Sequence, residues 1–196
     1  PKPAPAAPKP TQAVRSGREM AADFEQDGLK ALEKRDWAKA VDGYAQAMEL
    51  WEKYKEPLCL SRCAARLGEC AYEQDDFAEA LAQFSRQADF ARKHKERAEA
   101  AHPLAVALYN VGLAQFRCGH FVDAEGTLKQ AYEQARGVED AAQVARAAWS
   151  LALMHQLNAK YEPALDLHKE NLSVLLARRE GGADGADGGA AGGGGG

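Results

Sequence analysis

Small side chains, rings and alanines punctuate the polar stretches of this chain in one phase, four times over. Gly28, Gly68, Gly112 and Ala152 each stand nine residues before an aromatic: Trp37, Phe77, Phe121 and Tyr161. Three residues past each aromatic comes an alanine: Ala40, Ala80, Ala124 and Ala164. All three sets step by 40, 44 and 40 residues. Such a period marks supersecondary units that bury their apolar faces against one another. No segment carries the two-residue alternation of a strand bounded by turn residues. The pattern predicts helices over about 17–34, 37–55, 58–74, 77–99, 103–118, 121–136, 141–158 and 161–178.

Local chemistry agrees with these boundaries. Ser16 with Glu19, and Asp76 with Glu79, have the spacing of a capping box, in which each residue's side chain takes the other's backbone N–H. Asp36 and Asp140 suit N-caps for the helices that follow them. Pro57, Pro103 and Pro163 fall in first turns, where a missing N–H is harmless, and Gly137 is expected to stop a helix.

On these positions the chain resembles a tetratricopeptide repeat protein over about residues 20–178, most plainly in Tyr109–Glu133, YNVGLAQFRCGHFVDAEGTLKQAYE. The resemblance implies an all-α, right-handed superhelical solenoid of about four antiparallel helix pairs. The units fall at about 17–56, 57–100, 101–138 and 139–180 within a repeat domain over 16–180. In physical terms, the small residue lets the second helix approach, the aromatic fills the angle of the pair, and the alanine makes room for the next unit. The period exceeds the usual repeat of about 34 residues. It is similar to the long repeats of kinesin light chains and of Leu-Gly-Asn-type scaffolds, and His102-Pro103 is similar to a kinesin light chain unit start. The fourth unit departs most, with Ala152, His168 and Asn171 at positions usually held by Gly, an aromatic and Ala. HEAT repeats match the length but not this phase.

The resemblance also implies a concave groove lined by first helices. Its side chains would be Arg62, Arg66, Glu69 and Tyr72 in the second unit, and Tyr109, Asn110, Leu113, Phe116 and Arg117 in the third. Arg146, Trp149, Ser150 and Leu153 would follow in the fourth. Aromatics among arginines suit a groove for an acidic and apolar peptide or helix; the competing reading packs Tyr109 and Trp149 inside the array. The function implied is a non-enzymatic scaffold or adaptor in a larger assembly, tilted by the resemblance toward a cytoskeletal, motor-associated or ciliary setting. The alternative is an Hsp70/Hsp90 co-chaperone gripping a C-terminal carboxylate. Of the five clamp positions that resemblance supplies, Asn110 and Arg146 match, whereas Ala65, Glu69 and Ser150 do not.

Arrays normally end in a polar helix, yet the 161–178 helix carries Leu165, Leu167, Leu172, Val174, Leu175 and Leu176. A further segment, a second copy or another protein is expected to contact it. Residues 1–15 are proline-rich and read as a linker, and 181–196 hold only Gly, Ala and Asp and read as a flexible tail.

Composition adds mainly exclusions. The net charge is −4 with both signs interspersed, which argues against nucleic acid or an anionic membrane as partner. No apolar run approaches a membrane span. Four cysteines without disulfide spacing suggest an intracellular, cytoplasmic setting. Cys59, Cys63 and Cys70 share a helix face but lack a ligand set for metal, so packed thiols are expected; Cys118 and His120 read as surface residues flanking a turn. His155 and His168 are expected to face each other across the last pair, as satisfied interior histidines or as a pH-sensitive contact. The basic run Arg92–Arg97 suits a helix C-terminus. Catalytic and cofactor signatures are absent, so no catalytic, cofactor or metal residue is assigned.

Overall fold

In a computed structural model, residues 16–93 and 101–183 are described, with side chains for 16–93 and 102–177. Every element among them is a helix: α1 (Gly17–Glu33), α2 (Trp37–Tyr54), α3 (Pro57–Glu73), α4 (Phe77–Arg92), α5 (Ala101–Arg117), α6 (Phe121–Gly137), α7 (Ala141–Leu157) and α8 (Tyr161–Ala183). Each helix packs on its sequence neighbours, forming four antiparallel pairs stacked in series. First helices of consecutive units also touch, α3 with α5 and α5 with α7, so they line the inner face of the solenoid.

The helices begin where short polar side chains supply caps. Ser16 Oγ accepts from Glu19 N at 3.2 Å while Glu19 Oε2 accepts from Ser16 N at 2.7 Å. Asp36 and Asp140 accept from the first-turn amides of α2 and α7. Asp76 caps α4 through Glu79 N, but the expected reciprocal half fails because the Glu79 carboxylate takes Gln83 Nε2 instead.

The helices end in one recurring turn. Asp36 N reaches Ala31 O at 2.9 Å and Arg35 N reaches Leu32 O, with Arg35 left-handed at φ 57°. Asp75, Gly119, Glu139 and Ala159 take the same left-handed position at the ends of α3, α5, α6 and α7. Gly137 is not the stop residue: it is the last helical residue of α6, and Glu139 carries the turn. Two lengths also differ from expectation. α4 ends at Arg92 rather than 99, with 94–100 and most of the basic run outside the described residues, and α8 continues to Ala183. The linker 1–15 and residues 184–196 of the tail also lie outside the described residues.

The repeating glycines let rings sit where side chains would otherwise be. A methyl on Gly68 would lie 2.5 Å from Phe84 Cε1, and one on Gly28 would lie 3.1 Å from Tyr44 Cδ2. Leu128 fills the same place over Gly112. The aromatic opening each second helix behaves less uniformly than expected. Trp37 and Phe77 are half-buried, but Phe121 is 50% and Tyr161 69% exposed, so the wedge is lost toward the C-terminal end. Ala164 is as buried as Ala40, Ala80 and Ala124 although no later helix covers it among the described residues. Its burial therefore comes from helices that precede it, not from making room for a following unit.

Candidate protein-interaction surface

The residues expected to line a groove have already neutralised much of their own charge. Arg62 clasps Glu25 of α1 with two bonds, Nε to Oε2 at 2.7 Å and Nη2 to Oε1 at 2.9 Å. Trp51 Nε1 donates to the same carboxylate at 2.5 Å, so an acid on α1 ties three helices together. The hydrogen bond to Glu25 raises the Arg62 pKa still further. Arg66 pairs with Glu69 one turn along α3, at 2.7 Å. Arg117 reaches back to the preceding unit, its guanidinium 4.0 Å above the Phe77 ring and 3.4 Å from Asp75 Oδ1. Stacking a planar cation on a ring while pairing it at the rim fixes its position.

Several expected groove residues turn out to be packing residues. Phe116 meets Phe121 edge-on at 5.5 Å, and Tyr72 meets Phe77 likewise at 5.3 Å, each within its own unit. Tyr109 is partly buried between two core clusters, so it packs inside the array. Asn110 Nδ2 donates to Gln87 Oε1 across the unit boundary at 3.4 Å, and Ser150 is buried. Beside and partly lined by these side chains are two dents. One, of about 260 Å³, lies among Glu25, Gln26, Tyr44, Arg62 and Arg66. The other, of about 140 Å³, lies among Glu69, Tyr72, Phe84, Asn110 and Leu113.

The fourth unit differs. Arg146 is exposed with no ion-pair partner among the described residues. Trp149 is 58% and Leu153 42% exposed beside it on α7. Trp149 meets His168 edge-on at 5.1 Å, and both line a cavity of about 340 Å³ with Leu153, Asn171, Leu172 and Leu175. His168 Nε2 lies 3.1 Å from Gln156 Nε2, whereas His155 Nδ1 lies 3.3 Å from Glu125 Oε1. The two histidines therefore do not face each other; α6 draws one away and Trp149 holds the other.

The sequence reading missed two features. Glu25 looked like one acid among many on α1, and only the register of Trp51 and Arg62 against it reveals the clasp. A larger cavity, about 600 Å³, lies on the second-helix side between α2 and α4, with Glu49, Glu52, Glu79 and Arg86 on its rim. The thiols are packed as expected. Cys63 and Cys70 are fully buried, and burial pushes their pKa values up to about 12 and about 11. No helix among the described residues is long and apolar enough to cross a membrane.

No protein-family model matches the chain, and no curated protein matches it. Solved structures do. Aspartyl phosphate phosphatase F from Bacillus subtilis superposes with a TM-score of 0.76 at 17% identity, over 84% of this chain and 42% of its own. A Rap protein complexed with Competence and Sporulation Factor gives 0.70 at 20% identity, over 83% and 44%. A Podosopora anserina protein described as a kinesin light chain with nearly identical TPR-like repeats gives 0.68 at 15% identity, over 86% and 81%. This chain thus spans less than half the length of the first two. The fold is a tetratricopeptide-type helical-repeat solenoid.

Proposed function

We propose that this chain is a non-enzymatic scaffold or adaptor whose inner face takes a peptide or helix from another protein. The observation that carries the reading is the unpaired Arg146 beside the exposed Trp149 and Leu153. A cation next to an accessible indole and a leucine is the composition of a binding hot spot. The structural neighbours named as complexes with Competence and Sporulation Factor and with the Phr* peptide lend support, the second because its ligand is a peptide. Because Arg62, Arg66 and Arg117 already hold carboxylates, acidic recognition centres on Arg146. The likeness to a kinesin light chain supports a cytoplasmic setting in a cytoskeletal, motor-associated or ciliary assembly. The phosphatase activity named for one neighbour is that protein's, and no residue here is assigned to it.

The test is affinity capture with mass spectrometry, followed by affinity measurement on each purified partner. Arg146→Glu should weaken binding at least tenfold; equal affinity for wild type and variant removes the inner face from the proposal. The co-chaperone alternative loses ground because Asn110 is engaged by Gln87 and Glu69 would repel a terminal carboxylate. A peptide ending in Glu-Glu-Val-Asp should show no saturable binding. Tight binding lost in Arg146→Glu would install the alternative.

A further inference from the structure

Aligning the units by their steps of 40, 44 and 40 residues gives columns whose burial can be compared position by position. Met48, Ala88, Tyr132 and Leu172 form one column, and Trp51, Ala91, Ala135 and Leu175 another. In the first three units both columns are buried, in clusters shared with the first helix of the next unit. On α8, Leu172 is 58% and Leu175 49% exposed. A third column is polar at two places: Ala47, Gln87, Ala131 and Asn171. Gln87 is buried, and its Oε1 accepts from Asn110 of the helix that covers it. Asn171 is likewise buried, 6% exposed, but its Oδ1 has no hydrogen-bond partner among the described residues, and it lines the cavity between α7 and α8. Gln115 Oε1 and Gln143 Oε1 also lack partners among the described residues; what sets Asn171 apart is that its aligned counterpart Gln87 is paired by the helix that covers it.

We propose that the open α7/α8 end is a docking site for an amphipathic partner helix that lies outside residues 1–196. That helix lays small and branched apolar side chains over Leu172 and Leu175 and aims a side-chain N–H at Asn171. It sits as α5 sits on α4, where Leu104, Ala105, Leu108 and Val111 supply the apolar stripe and Asn110 the donor. The rest of this sequence offers no such stripe: residues 1–15, 94–100 and 184–196 hold no large apolar side chain except Val14.

A second copy fits poorly. Docked head to tail, it would present α1, which carries Asp23, Asp27 and Lys30 where the later first helices carry Cys63, Leu67 and Cys70, or Ala107, Val111 and Ala114. Those later residues sit in the interior clusters or pack against them, so the copy would press charges onto leucines. The proposal deepens the interaction reading above by naming what one end of the array takes.

The probe is a synthetic peptide with the sequence of Ala101–Arg117, titrated into the full chain while Trp149 emission is followed, with Trp149→Phe as the control. Saturable 1:1 binding is expected, weakened at least tenfold by Leu175→Glu. Changing the peptide's Asn110 to Leu, or the chain's Asn171 to Leu, should each weaken binding several-fold. The two changes together should restore it, because an apolar pair leaves no orphaned amide.

An isolated 17-residue helix is marginal. The same segment is therefore also appended after Gly196, where tethering raises its effective concentration. That fusion should shift Trp149 emission and raise Tm over a fusion whose appended Leu108 is Glu. Unchanged emission and Tm in the fusion overturn the proposal. So does a homodimer, seen by light scattering, that Leu175→Glu dissolves and the peptide cannot displace. Arg146→Glu should leave peptide docking intact, so failure here and failure of the inner-face reading are separable.

Discussion

Gly68→Ala tests the close approach of paired helices most directly, because intrinsic propensity and packing push in opposite directions. In a helix interior, Ala is favoured over Gly by about 1 kcal/mol. Gly126, in the middle of α6 with nothing within 4 Å of an added methyl, should realise that gain when changed to Ala. At Gly68 the methyl would lie 2.5 Å and 2.6 Å from Phe84 Cε1 and Cδ1. That ring is only 4% exposed and cannot swing into solvent. Overpacking of this kind costs about 1–3 kcal/mol, which outweighs the propensity gain.

The net expectation for Gly68→Ala is a loss of up to about 2 kcal/mol, set against a gain of about 1 kcal/mol for Gly126→Ala. For a domain of this size each kcal/mol moves Tm by roughly 2–4 °C, so the variants should diverge on opposite sides of wild type. Thermal and urea melts followed by helical circular dichroism read this out. A cycle sharpens it: in a Phe84→Ala background the obstructing ring is gone, and Gly68→Ala should become favourable by about 1 kcal/mol. If Gly68→Ala stabilises as much as Gly126→Ala, the helices are not held together at van der Waals contact and the account of the fold fails.

Ala159 holds a left-handed turn at φ 56°, which costs a non-glycine residue about 1 kcal/mol, so Ala159→Gly should raise stability in urea melts. The Glu125 carboxylate lies 2.7 Å from both Lys160 Nζ and Asn158 Nδ2, and the Lys160 hydrogen bond holds its pKa below the ordinary value. Its stabilisation is therefore present above the unfolded pKa of about 4.5 and lost as pH falls through the lower folded value. Glu125→Gln should cost about 1 kcal/mol at pH 7 and flatten the acid limb of the stability curve; parallel curves for the two proteins would remove Glu125 from the acid response. In native protein at pH 8, iodoacetamide should label Cys118 and Cys59 well before Cys63 and Cys70, which mass spectrometry of digests would resolve.

The fold was legible because its cause is local and repeated. A small residue, a ring nine residues on and the three-residue polar turn between them recur in step, and α1–α3 and α5–α7 begin and end within two residues of where those signals place them. The exceptions have physical reasons. α4 stops earlier than its run of helix-forming residues suggests, and the left-handed turn fell on Glu139 because spacing from the helix, not residue type, sets its place.

The candidate site was less legible. Which arginines are free depends on partners one unit away, such as Glu25 for Arg62 and Asp75 for Arg117, and periodicity does not encode those pairings. The exposed leucines of α8 could be anticipated from composition. The unpaired amide of Asn171 could not, since its meaning comes only from the bond that Gln87 makes.

The unlike ends of the solenoid give it a direction. A duplication that joined two copies of this chain in tandem would meet a faulty seam, where α1 of the second copy brings Asp23, Asp27 and Lys30 to Leu172 and Leu175 of the first. Lengthening by added units is open only past α8, and only to helices without those charges. Charge on one end face and leucine on the other thus disfavour head-to-tail stacking of copies of this chain.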